Sequence, residues 1–210
     1  MVDNVEVLNY NQNHKINILR SRFMKNTNNT RNLILVAMFA ALTAIGAFIK
    51  IPIPYVPFTL QYLFCALAGV ILGSKLGALS QIVYVMVGIA GVPVFTEGGG
   101  LSYIFKPTFG YLIGFIVAAY VIGKIREKIK ELTFTKAMGM LLAGLFFVYL
   151  FGVIYLYISY NLYLGQPMSL YLAFFNGFLV CIAGDLVLTA FAAYVAVKII
   201  PILERNGYIN

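Results

Sequence analysis

The sequence predicts an all-α integral membrane protein, a bundle of six helices with both termini on the cytoplasmic side. Three observations carry this. Of its 210 residues 61% are apolar and only 10% charged, where soluble domains run to about a quarter charged. One core of this size could not bury so much hydrocarbon, so lipid must cover the rest. The few charges leave uncharged runs long enough to cross a bilayer, and the basic residues fall almost wholly on alternate connections.

The elements follow in order from that spacing. Residues 1–31 are rich in Asn, carry Lys15, Arg20, Arg22, Lys25 and Arg31, and lack apolar periodicity, which reads as a cytoplasmic polar tail. A removed signal peptide is not expected, because no small-residue cleavage site is present and more spans follow. A crossing helix needs ~20 residues. There are 18 uncharged residues between Arg31 and Lys50, 24 between Lys50 and Lys75, 21 between Lys75 and Glu97, and 17 between Lys106 and Lys124. Each run holds one span, near 33–49, 58–74, 76–92 and 107–123. The 48 uncharged residues from Lys136 to Asp185 hold a span at 137–160, a turn at Asn161 to Ser169 and half of a last helix, 170–199, that continues through Asp185. The transmembrane domain is then 32–200, and 201–210 a cytoplasmic tail.

Sidedness comes from the basic residues, which cytoplasmic loops retain. With both termini inside, 13 of the 15 Lys and Arg lie on the inner side, in the tail, at Lys75, between Lys124 and Lys136, and at Lys198 and Arg205. Only Lys50 and Lys106 lie outside. The net charge of +8 therefore marks a membrane side and excludes a nucleic-acid surface. With no Trp, the interfacial belt falls to Tyr, for example Tyr55, Tyr103 and Tyr163. Small residues at four-residue spacing, such as Ala37 and Ala41, Ala40 and Ala44, Gly69 and Gly73, and Gly110 and Gly114, let helix backbones approach closely.

Several catalytic classes lack their residues. Cys65 and Cys181 sit in apolar runs as small buried hydrophobes, and the one histidine, His14, lies in the polar tail. No metal site and no His-based catalysis is expected, and no cofactor. No stretch fits the phosphate-binding G-x-x-x-x-G-K-[ST] pattern, so any ATP hydrolysis belongs to other chains. An intramembrane aspartyl protease needs two acids where the spans hold one.

That acid is Asp185, halfway along the last helix, where a carboxylate costs at least ~2.5 kcal/mol unless something offsets it. It either meets a donor-rich ligand or a Lys from another helix, or is a structural acid bonded to hydroxyls such as Thr189. The outer segment from Gly91 to Pro107 holds Gly98, Gly99 and Gly100 beside Thr96, Glu97, Ser102 and Tyr103. It is a polar turn or a binding loop. Lys106 either holds an anionic group or snorkels to the interface. The first outer loop is stiffened by Pro52, Pro54 and Pro57, and Gln61 beyond it bonds across helices or faces a cavity.

Four segments share a resemblance. Val56-Pro57-Phe58-Thr59-Leu60-Gln61, Gly88-Ile89-Ala90-Gly91-Val92-Pro93-Val94-Phe95, Pro107-Thr108-Phe109-Gly110-Tyr111-Leu112-Ile113-Gly114-Phe115 and Gly184-Asp185 resemble, in this order, the BioY family. Those proteins are biotin-binding S components of energy-coupling factor transporters. The resemblance covers roughly residues 33–200. It implies a six-helix S-component fold in the cell membrane and a transport protein that is not an enzyme. Its transported ligand would be biotin, captured on the outer side, and its partners a transmembrane coupling component and two ATPase subunits. S components commonly dock through an A-x-x-x-A ridge on the first helix, which Ala37 and Ala41 match. Two motifs depart from the family pattern, at three positions: Lys106 and Phe109 stand where it usually has Gly, and Leu188 where it usually has Lys. On this resemblance Asp185 accepts hydrogen bonds from a ureido head and Lys106 pairs with a carboxylate tail. Tyr84, Tyr103 and Phe109 wall the apolar middle, and Gln61 and Thr96 add polar contacts. A related carboxylated vitamin such as lipoate is the alternative cargo, and a solitary facilitator without ATPases the alternative mode.

Overall fold

A computed structural model describes residues 29–207. Most of the expected N-terminal tail, and the last residues of the expected C-terminal one, lie outside the described residues. Among the described residues, five helices are long and apolar enough to cross a membrane: α1 (Asn29–Phe48), α2 (Gln61–Ile89), α3 (Phe109–Arg126), α4 (Phe134–Leu162) and α5 (Leu170–Arg205). Residues 29–35 supply the first turns of α1, and the compact helical unit begins at Val36.

The expected second and third spans form one hydrogen-bonded element, α2, but it is not straight. At Gly73 the backbone takes φ 77° and ψ −176°, a region open essentially only to glycine. On either side the two arms lie against each other. Gln61 Nε2 donates to Tyr84 Oη at 2.7 Å across 23 residues, a separation that a straight helix would stretch to roughly 35 Å. Likewise a Cβ on Gly77 would sit 2.9 Å from Gly69 Cα. Lys75 divides the same two arms in the charge spacing, two residues beyond Gly73; the structure adds that a single residue makes the turn, with no connecting loop.

Helix α3 is the packing centre. A Cβ on Gly114 would fall 2.7 Å from Val148 Cα on α4, and one on Gly69 would fall 2.7 Å from the Ala119 carbonyl oxygen of α3. Lipid supplies no hydrophobic drive between helices, so this backbone proximity, and the dispersion contacts it allows, hold the bundle together. On α1, Ala40 and Ala47 turn inward, whereas Ala37 and Ala41 are exposed. Outward faces carry Phe146, Ile154, Val187 and Phe191, all more than half exposed, as lipid contact requires.

Polar contacts collect at the two ends. At one, Glu127 accepts from Ser74 Oγ at 2.6 Å and Ser74 N–H at 2.9 Å, an acid placed at the first turn of the second α2 arm, where the helix dipole favours it. Arg126 reaches Glu204 of α5 at 2.5 Å beside it. At the other end, the short antiparallel strands β1 (Lys50–Ile51) and β2 (Phe58–Thr59) fold the first loop back over the bundle. The loop from Gly91 to Lys106 is pinned there by Phe95, 1% exposed, whose ring fills the space a side chain at Gly88 would need.

Gly73→Ala should cost about 1–3 kcal/mol of strain, read as a lower melting temperature in detergent, while Gly139→Ala, with open space at its Cβ, should not. An unchanged Gly73→Ala melting point would remove the reversal from the structure's requirements. The Ser74 hydroxyl and then its N–H hold the Glu127 carboxyl below the ordinary glutamate range. The stability this contributes is complete above the unfolded-state pKa and disappears as pH falls through the lower folded value. Glu127→Gln should therefore destabilise at neutral pH, with the gap to wild type closing below the glutamate range. A gap independent of pH would mean that the charge contributes nothing.

Candidate ligand cavity

The folded-back first loop, the 3-10 turn Leu101–Phe105 and helices α2 to α5 surround a cavity of about 60 Å³. Its apolar lining comes from Val56 and Phe58 of the first loop, Leu112 and Phe115 of α3, and Val148 of α4. Pro57 and Thr108 are shared with an outer vestibule of about 490 Å³, lined by Lys50, Glu97, Lys106 and Tyr160 among others.

Two polar groups enter the cavity. The first centres on Gln61, which opens α2 because Thr59 and the preceding strand end there. Its Oε1 accepts from Thr59 Oγ1 at 3.1 Å and Thr96 Oγ1 at 3.3 Å. Its Nε2 donates to Tyr84, whose hydroxyl passes a 3.1 Å bond on to the Val94 carbonyl. Gln61 therefore both bonds across elements and lines the cavity. Tyr103 also lines it: only 3% exposed, it has turned inward from the interface expected of it, and lies 3.3 Å from Thr108 Oγ1. Burial, more than any neighbour, pushes its phenol pKa up, so it stays a neutral hydrogen-bonding group.

The second is Asp185, 9% exposed. Its carboxyl accepts from Tyr149 Oη on α4, and among the described residues it forms no ion pair. Thr189 bonds the Asp185 backbone carbonyl at 2.6 Å instead of the carboxyl, the usual habit of a helical threonine. Upstream, Phe175–Leu179 is a π-helical turn, a widening common at functional sites. Gly177 in it lets Tyr111 Oη approach its carbonyl to 2.7 Å. Past this turn Cys181 and Asp185, one helical turn apart, both face the cavity.

Of the expected site residues, Asp185, Gln61, Thr96 and Tyr103 come together on the cavity, and Lys106 lies in the vestibule. Tyr84 and Phe109 do not line it. Tyr84, 1% exposed, stands behind Gln61 as its support, and Phe109 packs edge-on against Tyr155 at 5.9 Å. Lys106 binds Glu97 at 3.0 Å, and that hydrogen bond raises its pKa. Lys50 donates to the Thr96 carbonyl at 2.8 Å. The cavity also includes Tyr111, which lies in one of the resembling segments, and Tyr62 and Tyr149, which nothing in the sequence separates from the other tyrosines.

Fold and site together define a membrane-type helical bundle that encloses a small-molecule cavity, a solute-binding protein. Comparison with known proteins narrows the class. A family model described as the BioY family matches residues 20–205. A protein of Lysinibacillus sphaericus described as a probable biotin transporter BioY is 45% identical over 83% of this chain and 89% of its own. The biotin transporter BioY of Thermotoga maritima is 39% identical over 80% and 95%. The solved structure of the S-component for biotin from an ECF-type ABC transporter superposes with a TM-score of 0.72 at 27% identity, covering 83% of this chain and 93% of that one. This chain belongs to the BioY family.

Proposed function

We propose that the chain is the substrate-capturing S component of an energy-coupling factor transporter and that its cargo is biotin. The observation that carries this is Asp185, a carboxyl with no cation beside it among the described residues, opening on a mainly apolar cavity below a vestibule that holds Lys50 and Lys106. Such a site complements a molecule with an N–H-bearing head, an apolar chain and a carboxylate tail. Asp185 accepts from the head, while Gln61, Thr96 and Tyr103 orient the middle. Lys106 draws the tail and exchanges Glu97 for it. Tyr84 and Phe109 act from behind, as supports.

The two arms of α2 each cross the cell membrane, which makes six crossings of a multi-pass protein with both termini in the cytoplasm. The charge of the connections supports that orientation. The exposed Ala37 and Ala41 offer a close-approach surface to a transmembrane coupling component, and two ATPase subunits supply the energy. The chain itself is a transport protein and not an enzyme.

Calorimetric titration of the detergent-purified protein with biotin, and lipoate in parallel, tests the reading. Biotin should bind. Asp185→Asn should weaken it by about tenfold to a hundredfold, the range for a hydrogen bond to a charged group. Lys106→Ala should weaken it by up to about fivefold, since an exposed pair contributes little. A folded sample that takes lipoate and refuses biotin reassigns the cargo, and an unaltered Lys106→Ala affinity removes the carboxylate role. The double change Ala37→Leu and Ala41→Leu should leave affinity intact and abolish uptake by cells; continued uptake would remove the docking surface.

A further inference from the structure

Among the described residues the Asp185 carboxyl meets a single hydroxyl, that of Tyr149, and both residues line the cavity. The phenol ring is held on two sides. Phe178 stands edge-on to it at 4.8 Å and 90°, and Tyr111 at 6.4 Å and 86°. Tyr111 is fixed in turn by its 2.7 Å bond to the carbonyl of Gly177. The Tyr149 ring therefore keeps its place, while its O–H bond stays free to turn about the C–O axis. A hydroxyl donates one proton, and a carboxylate only accepts. Here the two satisfy each other. That is the cheapest arrangement for two polar groups buried away from water.

Deepening the carrier reading above, and resting on it, we infer that Tyr149 is a specificity-determining residue that forms a donor and acceptor pair with Asp185. On loading, the Tyr149 O–H turns from the carboxyl to a ligand carbonyl, and Asp185 accepts from the N–H beside that carbonyl. The pair thus selects a ligand edge that presents N–H and C=O side by side, as a cyclic urea or a cis-amide does. A ligand with only donors leaves the Tyr149 proton on Asp185 and one acceptor of the carboxyl occupied. A ligand with only acceptors leaves Asp185 without a donor once the hydroxyl turns, and an unpaired buried charge is costly.

The test uses the whole detergent-purified protein, the Tyr149→Phe variant and two ligands: biotin, and the analogue with sulfur in place of the ureido oxygen. Phenylalanine keeps the ring between Phe178 and Tyr111 and removes only the hydroxyl. Sulfur is a weak acceptor, so wild type should prefer biotin by about tenfold, the scale of one hydrogen bond. Tyr149→Phe should lose about tenfold in biotin affinity and lose the preference as well. A role confined to folding would lower both affinities together and keep their ratio, with a fall in melting temperature. That outcome, or an unchanged biotin affinity, overturns the pairing and leaves the carrier reading standing. A folded wild type that binds neither ligand overturns the pairing and the biotin assignment together.

Discussion

Helices in lipid are not pushed together by water, and this one constraint orders the rest of the structure. Where hydrocarbon surrounds the protein, apolar side chains gain little by turning inward, so what joins two helices is how near their backbones can come. Helix α3 meets that condition on two faces, taking Gly69 of α2 near Ala119 on one and presenting Gly114 to Val148 of α4 on the other. Beside these tight seams lies the cavity, lined on α3 and α4 by larger side chains, Leu112, Phe115 and Tyr149 among them. Close packing and the empty space therefore arise from the same distribution of small and large residues.

The same solvent explains what is legible in the sequence. Charges are expensive in hydrocarbon, so Lys50, Lys75, Lys106 and Lys124 mark where the spans end, and the observed helix ends mostly fall within a few residues of those expected. Asp185 stands out for the same reason. The reversal in α2 is legible too, since Lys75 divides the two expected spans and the chain turns back two residues before it; that Gly73 alone makes the turn, with no loop, is a backbone property that hydropathy and charge spacing do not carry. The A-x-x-x-A ridge is visible as spacing, yet only the structure separates the outward pair Ala37 and Ala41 from Ala40, which is buried.

Within the site, legibility follows cost again. An acid in the membrane announces itself, but its partner is a tyrosine among 15. Thr189, one turn away, is the nearer candidate by sequence; its hydroxyl is claimed by the carbonyl four residues back. The partner comes instead from α4, a relation between helices that a linear pattern does not contain. Tyr84 and Phe109 show the converse. Both are expected to wall the cavity, and both are turned away from it by local packing, Tyr84 behind Gln61 and Phe109 against Tyr155.

The two electrostatic pairs differ in ways that divide the labour of binding. Lys106 and Glu97 are each close to half exposed, so water and salt screen them and their mutual attraction is worth little. A pair so weak is easily exchanged, and a positive vestibule chiefly raises the rate at which anions arrive. Asp185 and Tyr149 are buried, where a hydrogen bond is stronger and a missing partner is penalised heavily. Discrimination belongs where mispairing costs most, which is at the inner pair. A carrier that must release what it captures gains from this arrangement: the inner pair can close on itself when the ligand departs, so emptying the site leaves no buried charge without a donor.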